Sequence, residues 1–326
     1  MNEFKKLRKS MNGMFGLFTI IKLFIICVSL FFVYPLAILA EKWAPGYVQQ
    51  TLNDLNSYDT IPGMIFNISV FILAVFVPIA FYIFLSGKKA DEIVMTRKPT
   101  FWQCACTLGS TALFTYIISY IANIIIQLIM SMFGLNLEAI DVGAPNNIWL
   151  IPFFIISLCV LPGFAEELLM RGIAIENTRK YGTGFAIVFS SICFSMLHNT
   201  IMQLPFAFAA GLSLAYFAIK FKSIWVAVIT HFFLNLNSVI LQILSTLFST
   251  KEEIFFLGVY MLFMFFIILS FAIAGLILYG FKLPKQEEKI ELPLRQKIGA
   301  VLLSPYFYTF LILFITVVTL NIIQMI

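Results

Sequence analysis

The side chains best suited to chemistry in this sequence are a few ionisable residues that lie deep inside long apolar stretches. They are Glu166, Glu167, Arg171, His198 and His231. A charged side chain at the centre of a bilayer costs about 2.5–3.5 kcal/mol on insertion scales, so such residues are candidates for function by default. Asn235 follows His231, the second of only two histidines, by one helical turn and shares its helix face. The sequence therefore predicts a polar site that three helices build within the membrane.

The two neighbouring glutamates are predicted to have different roles. On a helix, Glu167 and Arg171 lie about 40° apart around the axis, whereas Glu166 and Arg171 lie about 140° apart. We therefore expect Glu167 and Arg171 to form an ion pair that supports the site. Glu166 is then free to face a cavity and to take part in chemistry. The competing interpretation is that Glu166 pairs with Arg171 and is only structural.

These groups match what an enzyme needs to hydrolyse an amide or ester bond. A buried carboxylate beside an imidazole can activate a water molecule. His231 and Asn235, on one helix face, can donate hydrogen bonds to a developing oxyanion. The alternatives are packing histidines, and an Asn235 that bonds only a neighbouring helix.

A divalent metal site is the competing use of the same atoms. Its ligands would be Glu166, His198 and His231, and zinc would be a suitable ion. The spacing is not H-E-x-x-H, and none of the five cysteines forms a C-x-x-C pair. The sequence therefore establishes no cofactor and leaves the metal as an alternative.

Three fragments in this order resemble the CPBP family, which comprises the CAAX-protease and bacteriocin-processing intramembrane proteases and is also called Abi. The fragments are E-E-x-x-x-R-G at 166–172, F-x-x-x-H at 194–198 and H-x-x-x-N at 231–235. The resemblance covers roughly residues 150–240, and no position of the three fragments is missing.

The resemblance implies an intramembrane endopeptidase with its site in a conical cavity between core helices. The residues that carry over as catalytic are Glu166, His198, His231 and Asn235. The first two would activate the water and the last two would hold the oxyanion, with Glu167 and Arg171 as support. The family is commonly labelled metalloprotease, although a metal-free glutamate mechanism has also been argued for it. Its suggested roles include peptide maturation and self-immunity to bacteriocins.

The composition identifies the frame that must position these residues. Of 326 residues, 61% are hydrophobic and 11% are charged, against about 45–50% and about 25% in soluble domains. One soluble core could not bury so much apolar surface, which excludes a soluble enzyme, a disordered chain and a nucleic-acid binder. We expect an all-α polytopic membrane protein with about nine transmembrane helices of about 20 residues each.

The nine predicted spans follow the long apolar runs. They are 23–40, 64–86, 101–133, 148–165, 183–201, 203–221, 224–247, 254–281 and 300–325. The fourth is expected to continue as helix past Glu166 towards Lys180, with a bend near Pro162. With a cytoplasmic N-terminus, every basic residue except Lys42 and Lys251 falls on the cytoplasmic side, as the positive-inside rule requires. Lys22 is among those assigned to the cytoplasmic segments.

We divide the chain into an N-terminal extension with helices 1–3 (1–147), a catalytic core with helices 4–7 (148–247) and C-terminal helices 8–9 (248–326). The expected partners are membrane lipid and a peptide or membrane-protein substrate, in a bacterial plasma membrane, with no nucleic acid. Two other classes stay open. They are a non-catalytic scaffold or immunity protein, and a proton-coupled transporter, although no internal repeat is visible.

Overall fold

The computed structural model describes residues 2–27, 58–87, 94–135, 144–247, 250–282 and 290–324, together with positions 137 and 284. These residues form ten helices and no β-strand. The helices are α1 (Glu3–Cys27), α2 (Ile61–Ser86), α3 (Phe101–Met132), α4 (Ile148–Tyr181), α5 (Thr183–Leu197), α6 (Leu204–Phe221), α7 (Ile224–Leu247), α8 (Thr250–Tyr279), α9 (Leu294–Leu302) and α10 (Pro305–Gln324). Eight of them are long and apolar enough to cross a membrane, whereas α5 and α9 are shorter. The all-α polytopic membrane fold is thereby confirmed.

Helices are the expected solution because a chain in hydrocarbon must satisfy its backbone hydrogen bonds internally. Their starts carry ordinary capping signals. The side chain of Thr60 accepts from Gly63 N at the start of α2, and Thr100 forms a capping box with Gln103 at the start of α3.

The first span is placed differently from the prediction. α1 begins at Glu3 and ends at Cys27, and residues 28–40 of the predicted span lie outside the described part of the chain. From Leu7 to Lys22 this helix buries one face completely, which makes it part of the bundle rather than a cytoplasmic segment. The prediction failed because the basic residues at 5–9 and the polar residues among 10–22 hid an apolar face that begins at Leu7.

Lys22 was also misplaced by the prediction. Its side chain is 4% exposed inside the bundle, not in a cytoplasmic segment. The last predicted span is shortened, because α9 is a separate short helix and α10 starts only at Pro305.

α4 runs without interruption through the predicted continuation and carries two wide turns. The first, Ile156–Val160, precedes Pro162, and a similar turn in α2 at Ile72–Phe76 precedes Pro78. Proline lacks an N–H and its ring crowds the preceding turn, so a π-helical turn is a common adjustment. The second, Leu168–Ala174, contains Arg171.

Small residues allow the site-bearing helices to approach closely. A Cβ on Gly211 of α6 would lie 2.9 Å from the Cα of Ser191 on α5, which is closer than side chains tolerate. A Cβ on Gly163 of α4 would lie 3.6 Å from the backbone of Phe232 on α7. The packing of α4, α5, α6 and α7 therefore depends on the small residues at their contacts.

The ends that carry basic residues gather at one end of the bundle. Tyr181 at the end of α4 donates to Glu3 at the start of α1 at 3.4 Å, and Arg97 N before α3 donates to Lys222 O after α6 at 3.2 Å. The start of α1 thus lies on the same side as the end of α4, and the start of α3 on the same side as the end of α6. Both pairings agree with the predicted order in which the chain crosses the membrane. That this end is cytoplasmic stays a prediction from charge.

Candidate active site

A buried ion pair lies at the centre of the site. Glu167 is 0% exposed and Arg171 is 1% exposed. Arg171 Nη1 donates to Glu167 Oε1 at 3.0 Å, and Nη2 donates to the carbonyl oxygen of Gly211 at 3.2 Å. The guanidinium also lies over the ring of Phe194, 4.9 Å from its centroid. Arg171 therefore joins α4 to α5 and α6, and the structure contains the predicted pairing with Glu167.

His231 shares the same carboxylate oxygen. Its Nδ1 lies 2.9 Å from Glu167 Oε1, and since a carboxylate only accepts, Nδ1 carries the proton. The other ring nitrogen, Nε2, lies 3.9 Å from Glu166 Oε2. Glu167 thus orients His231 so that Nε2 faces Glu166. Spacing along the chain could not indicate this contact, because it joins α4 to α7.

Glu166 differs from its neighbour in both exposure and partners. Its side chain is 21% exposed. Its Oε2 atom is buried and has no hydrogen-bond partner among the described residues. Of the two adjacent carboxylates, Glu167 therefore accepts from Arg171 and His231 through Oε1, although its Oε2 is also buried without a partner among the described residues. Glu166 accepts a hydrogen bond from no described residue and is partly exposed.

His198 ends α5 and is held by its own helix. Its backbone is extended (φ −76°, ψ 155°) and its N–H donates to Ser195 O at 3.0 Å. The carbonyl oxygen of Phe194, which an unbroken α-helix would use for that N–H, instead lies 3.0 Å from His198 Nδ1. This contact assigns the proton to Nδ1 and leaves Nε2 as the acceptor.

Phe194 packs against both imidazoles. Its ring makes edge contacts with His198 at 5.1 Å and with His231 at 5.7 Å between ring centroids. With the guanidinium of Arg171 on the same ring, it fixes the relative positions of three polar groups. The sequence marked Phe194 only as part of a motif, without a role.

Asn235 is tied to α4. Its Nδ2 donates to the carbonyl oxygen of Leu158 at 3.0 Å. Pro162, four residues after Leu158, has no N–H for this oxygen, so the amide of Asn235 supplies a donor instead. The interhelical bond that competed with the oxyanion role is thus present, and it uses one of the two protons on Nδ2.

The sequence analysis missed a cation beside His198. Lys22 Nζ of α1 donates to Asn199 Oδ1 at 2.9 Å, and Asn199 directly follows His198. The ammonium also lies 5.7 Å from the ring centroid of Phe314 on α10. A single lysine inside the otherwise apolar run at 14–27 was the signal, and a first span starting near residue 10 would have revealed it.

The predicted metal ligands do not assemble into a metal site. In the described part of the chain, no group of three or more His, Cys, Asp or Glu side chains could hold a metal ion, and Glu166, His198 and His231 form none.

The comparisons with known proteins agree with the motifs. Residues 147–237 match the model of the family described as type II CAAX prenyl endopeptidase Rce1-like. No curated protein and no solved structure matches the chain significantly. The matched segment contains α4 through Asn235 of α7, with all six predicted site residues. Over this segment, the chain is similar to the CAAX-protease-like endopeptidases.

Proposed function

We propose that the protein hydrolyses a peptide bond of a peptide or membrane-protein substrate with a water molecule activated by Glu166. The observation that carries this proposal is the division of labour between two adjacent carboxylates. Glu167 is fully buried, and its Oε1 accepts from Arg171 and His231. Glu166 is 21% exposed and accepts a hydrogen bond from no described residue, and its Oε2 lies 3.9 Å from His231 Nε2.

Glu166 and His198 are proposed to handle the water. The Nε2 of His198 can accept a hydrogen bond from it, because Nδ1 already donates to Phe194 O. Glu166 takes one proton from the water, and the hydroxide adds to the scissile carbonyl carbon. When the C–N bond breaks, the proton held by Glu166 moves to the leaving amine. The products are a new carboxyl terminus and a new amino terminus.

His231 and Asn235 are proposed to stabilise the oxyanion of the tetrahedral intermediate. Asn235 keeps one N–H after bonding Leu158 O. His231 uses its Nδ1–H for Glu167, so its Nε2 donates to an oxyanion when the imidazole is protonated. Both donors are held by contacts on their other side, which is the preorganisation that such stabilisation requires.

The experiment is cleavage of a peptide library by the purified full-length protein, with fragments identified by mass spectrometry. We expect Glu166→Gln and His198→Ala to reduce cleavage by at least about 100-fold, the range for loss of a general base. Glu176→Gln is a matched control on the same helix, because its carboxylate pairs with Arg179 away from the site, and it should retain activity. Full activity in Glu166→Gln would refute the proposal.

A chelator separates the two catalytic types. The proposed mechanism predicts that wild-type cleavage continues after treatment with a strong chelator, whereas loss of cleavage and its return with zinc would establish a metalloprotease. A bacterial plasma-membrane location and a role in peptide maturation or bacteriocin self-immunity rest on the family resemblance alone. A wild-type protein that cleaves nothing would instead favour the non-catalytic scaffold.

A further inference from the structure

The site contains one more negative charge than its close ion pairs balance. Arg171 neutralises Glu167 at 3.0 Å. Among the described residues, no lysine or arginine nitrogen lies within 4.0 Å of the Glu166 carboxylate, whose ionic neighbour is His231 at 3.9 Å. A second buried positive charge would restore neutrality without relying on a histidine.

Lys22 is such a charge. Its side chain is 4% exposed, and no carboxylate oxygen of a described residue lies within 4.0 Å of its Nζ. One of its three protons goes to Asn199 Oδ1, and the ring of Phe314 lies nearby. Burying an ammonium without a counter-charge costs several kcal/mol, so a lysine at this position indicates negative charge in its surroundings.

Lys22 and Glu166 are connected through the residues around His198. Lys22 bonds Asn199, the residue that follows this histidine. His198 is held in turn against Phe194, which also packs on His231, the neighbour of Glu166. The four groups therefore form one continuous cluster across α1, α4, α5 and α7.

We propose that Lys22 is a positioning residue of the active site, in which its ammonium is the counter-charge of the Glu166 carboxylate and its hydrogen bond to Asn199 fixes the chain beside His198. The catalytic part rests on the proposed function, whereas the charge pairing does not. It follows that α1, which lies outside the matched segment 147–237, is part of the catalytic unit.

A double-mutant cycle on thermal stability tests the charge pairing without any substrate. Lys22→Met and Glu166→Gln should each lower the unfolding midpoint of the full-length protein in detergent, because each leaves one buried charge without its counterpart. The double variant should be more stable than the sum of the two losses predicts. Lys9→Met is the matched control, since Lys9 lies on the same helix but is exposed, and it should show no coupling to Glu166→Gln. Strict additivity of Lys22→Met and Glu166→Gln would overturn the proposal.

Activity variants separate charge from hydrogen bonding and from size. Lys22→Arg keeps the charge and should keep at least half of the wild-type kcat. Lys22→Gln can still donate to Asn199 but has no charge, and its kcat should fall about tenfold with KM little changed. Equal activity in Lys22→Gln and wild type would overturn the catalytic part. Coupling in a wild-type protein that cleaves no peptide would instead support the charge pairing and refute the proposed function.

Discussion

The hydrogen bond from Asn235 to Leu158 O allows a specific prediction, because the position of Pro162 in the sequence explains why this carbonyl oxygen needs a side-chain donor. Pro162 cannot donate to this carbonyl oxygen, so replacing Asn235 with leucine, which has a similar volume, removes a donor that the backbone does not replace. Hydrogen bonds between membrane helices contribute about 0.6 kcal/mol on average and up to about 1.7 kcal/mol. We expect Asn235→Leu to destabilise the protein by an amount in this range.

Pro162→Ala should rescue that loss, because alanine restores an N–H four residues after Leu158. The double variant Asn235→Leu/Pro162→Ala is therefore expected to unfold close to the wild-type temperature. Its catalysis should stay low, since removal of one oxyanion donor typically costs about 100- to 1,000-fold in kcat. Stability and catalysis at Asn235 would then be separated in one set of variants.

The assay can use the protein's own thiols. Cys106, Cys159 and Cys193 are at most 1% exposed, so a thiol-reactive dye reports their exposure as detergent-solubilised protein is heated. Pro162→Ala alone serves as the control for the backbone change. If the double variant regains activity together with stability, Asn235 only holds α7 to α4 and the oxyanion role is wrong. If Asn235→Leu is as stable as the wild type, Leu158 O does not need the hydrogen bond from Asn235.

Three further predictions use other contacts of the bundle. Glu167→Gln keeps an acceptor for both donors but removes the charge, so it should destabilise the protein by about 2–3 kcal/mol, the difference between two charged and two neutral hydrogen bonds. Glu167→Ala removes the acceptor as well and leaves Arg171 unpaired, so it should cost about 3–5 kcal/mol. Equal unfolding midpoints for the two variants in the thiol-dye assay would contradict this order. Gly211→Ala should destabilise by about 1–3 kcal/mol by separating α5 from α6, whereas Gly184→Ala, with open space around its Cβ position, should be neutral in the same assay. Hydrogen bonds from the segment before α4 lower the pKa of Asp59, so its contribution is present at neutral pH and is lost as the pH falls through about 4 and below. The difference in unfolding midpoint between Asp59→Asn and wild type should therefore vanish in acid, and a difference that persists there would refute it.

The contacts predicted correctly from the sequence are those set by the geometry of one helix. Glu167 and Arg171 are four residues apart on α4, and helical spacing alone places them together. The contact of Glu167 with His231 was missed, because periodicity indicates which face a residue occupies but not which helix covers that face. Whether His231 reaches Glu167 depends on how closely α4 and α7 approach. Gly163 permits the close approach, because it has no side chain to separate α4 from the backbone of α7, and this contact is known only once the helices are packed.

The error at α1 has a different physical origin. Hydropathy averaging treats Lys22 as evidence against a membrane span, and so the first span was moved towards residue 40. A lysine can lie inside a bundle when a polar partner and compensating charge surround it, and such surroundings come from residues distant in sequence. Asn199 supplies the partner, 177 positions away along the chain.

The polar groups of the site share one arrangement, in which one atom is used for support and another is left for chemistry. His198 and His231 both use Nδ1 for a fixed acceptor and present Nε2, and Asn235 uses one proton of two. Of the adjacent glutamates, Glu167 accepts hydrogen bonds from Arg171 and His231, whereas Glu166 accepts none from the described residues. Supporting contacts made with backbone carbonyls and a buried carboxylate leave each group little freedom to turn. Because a misplacement of about 1 Å can cost about 100-fold in rate, we expect variants that break a supporting contact to lose catalysis even where the reacting atom is untouched.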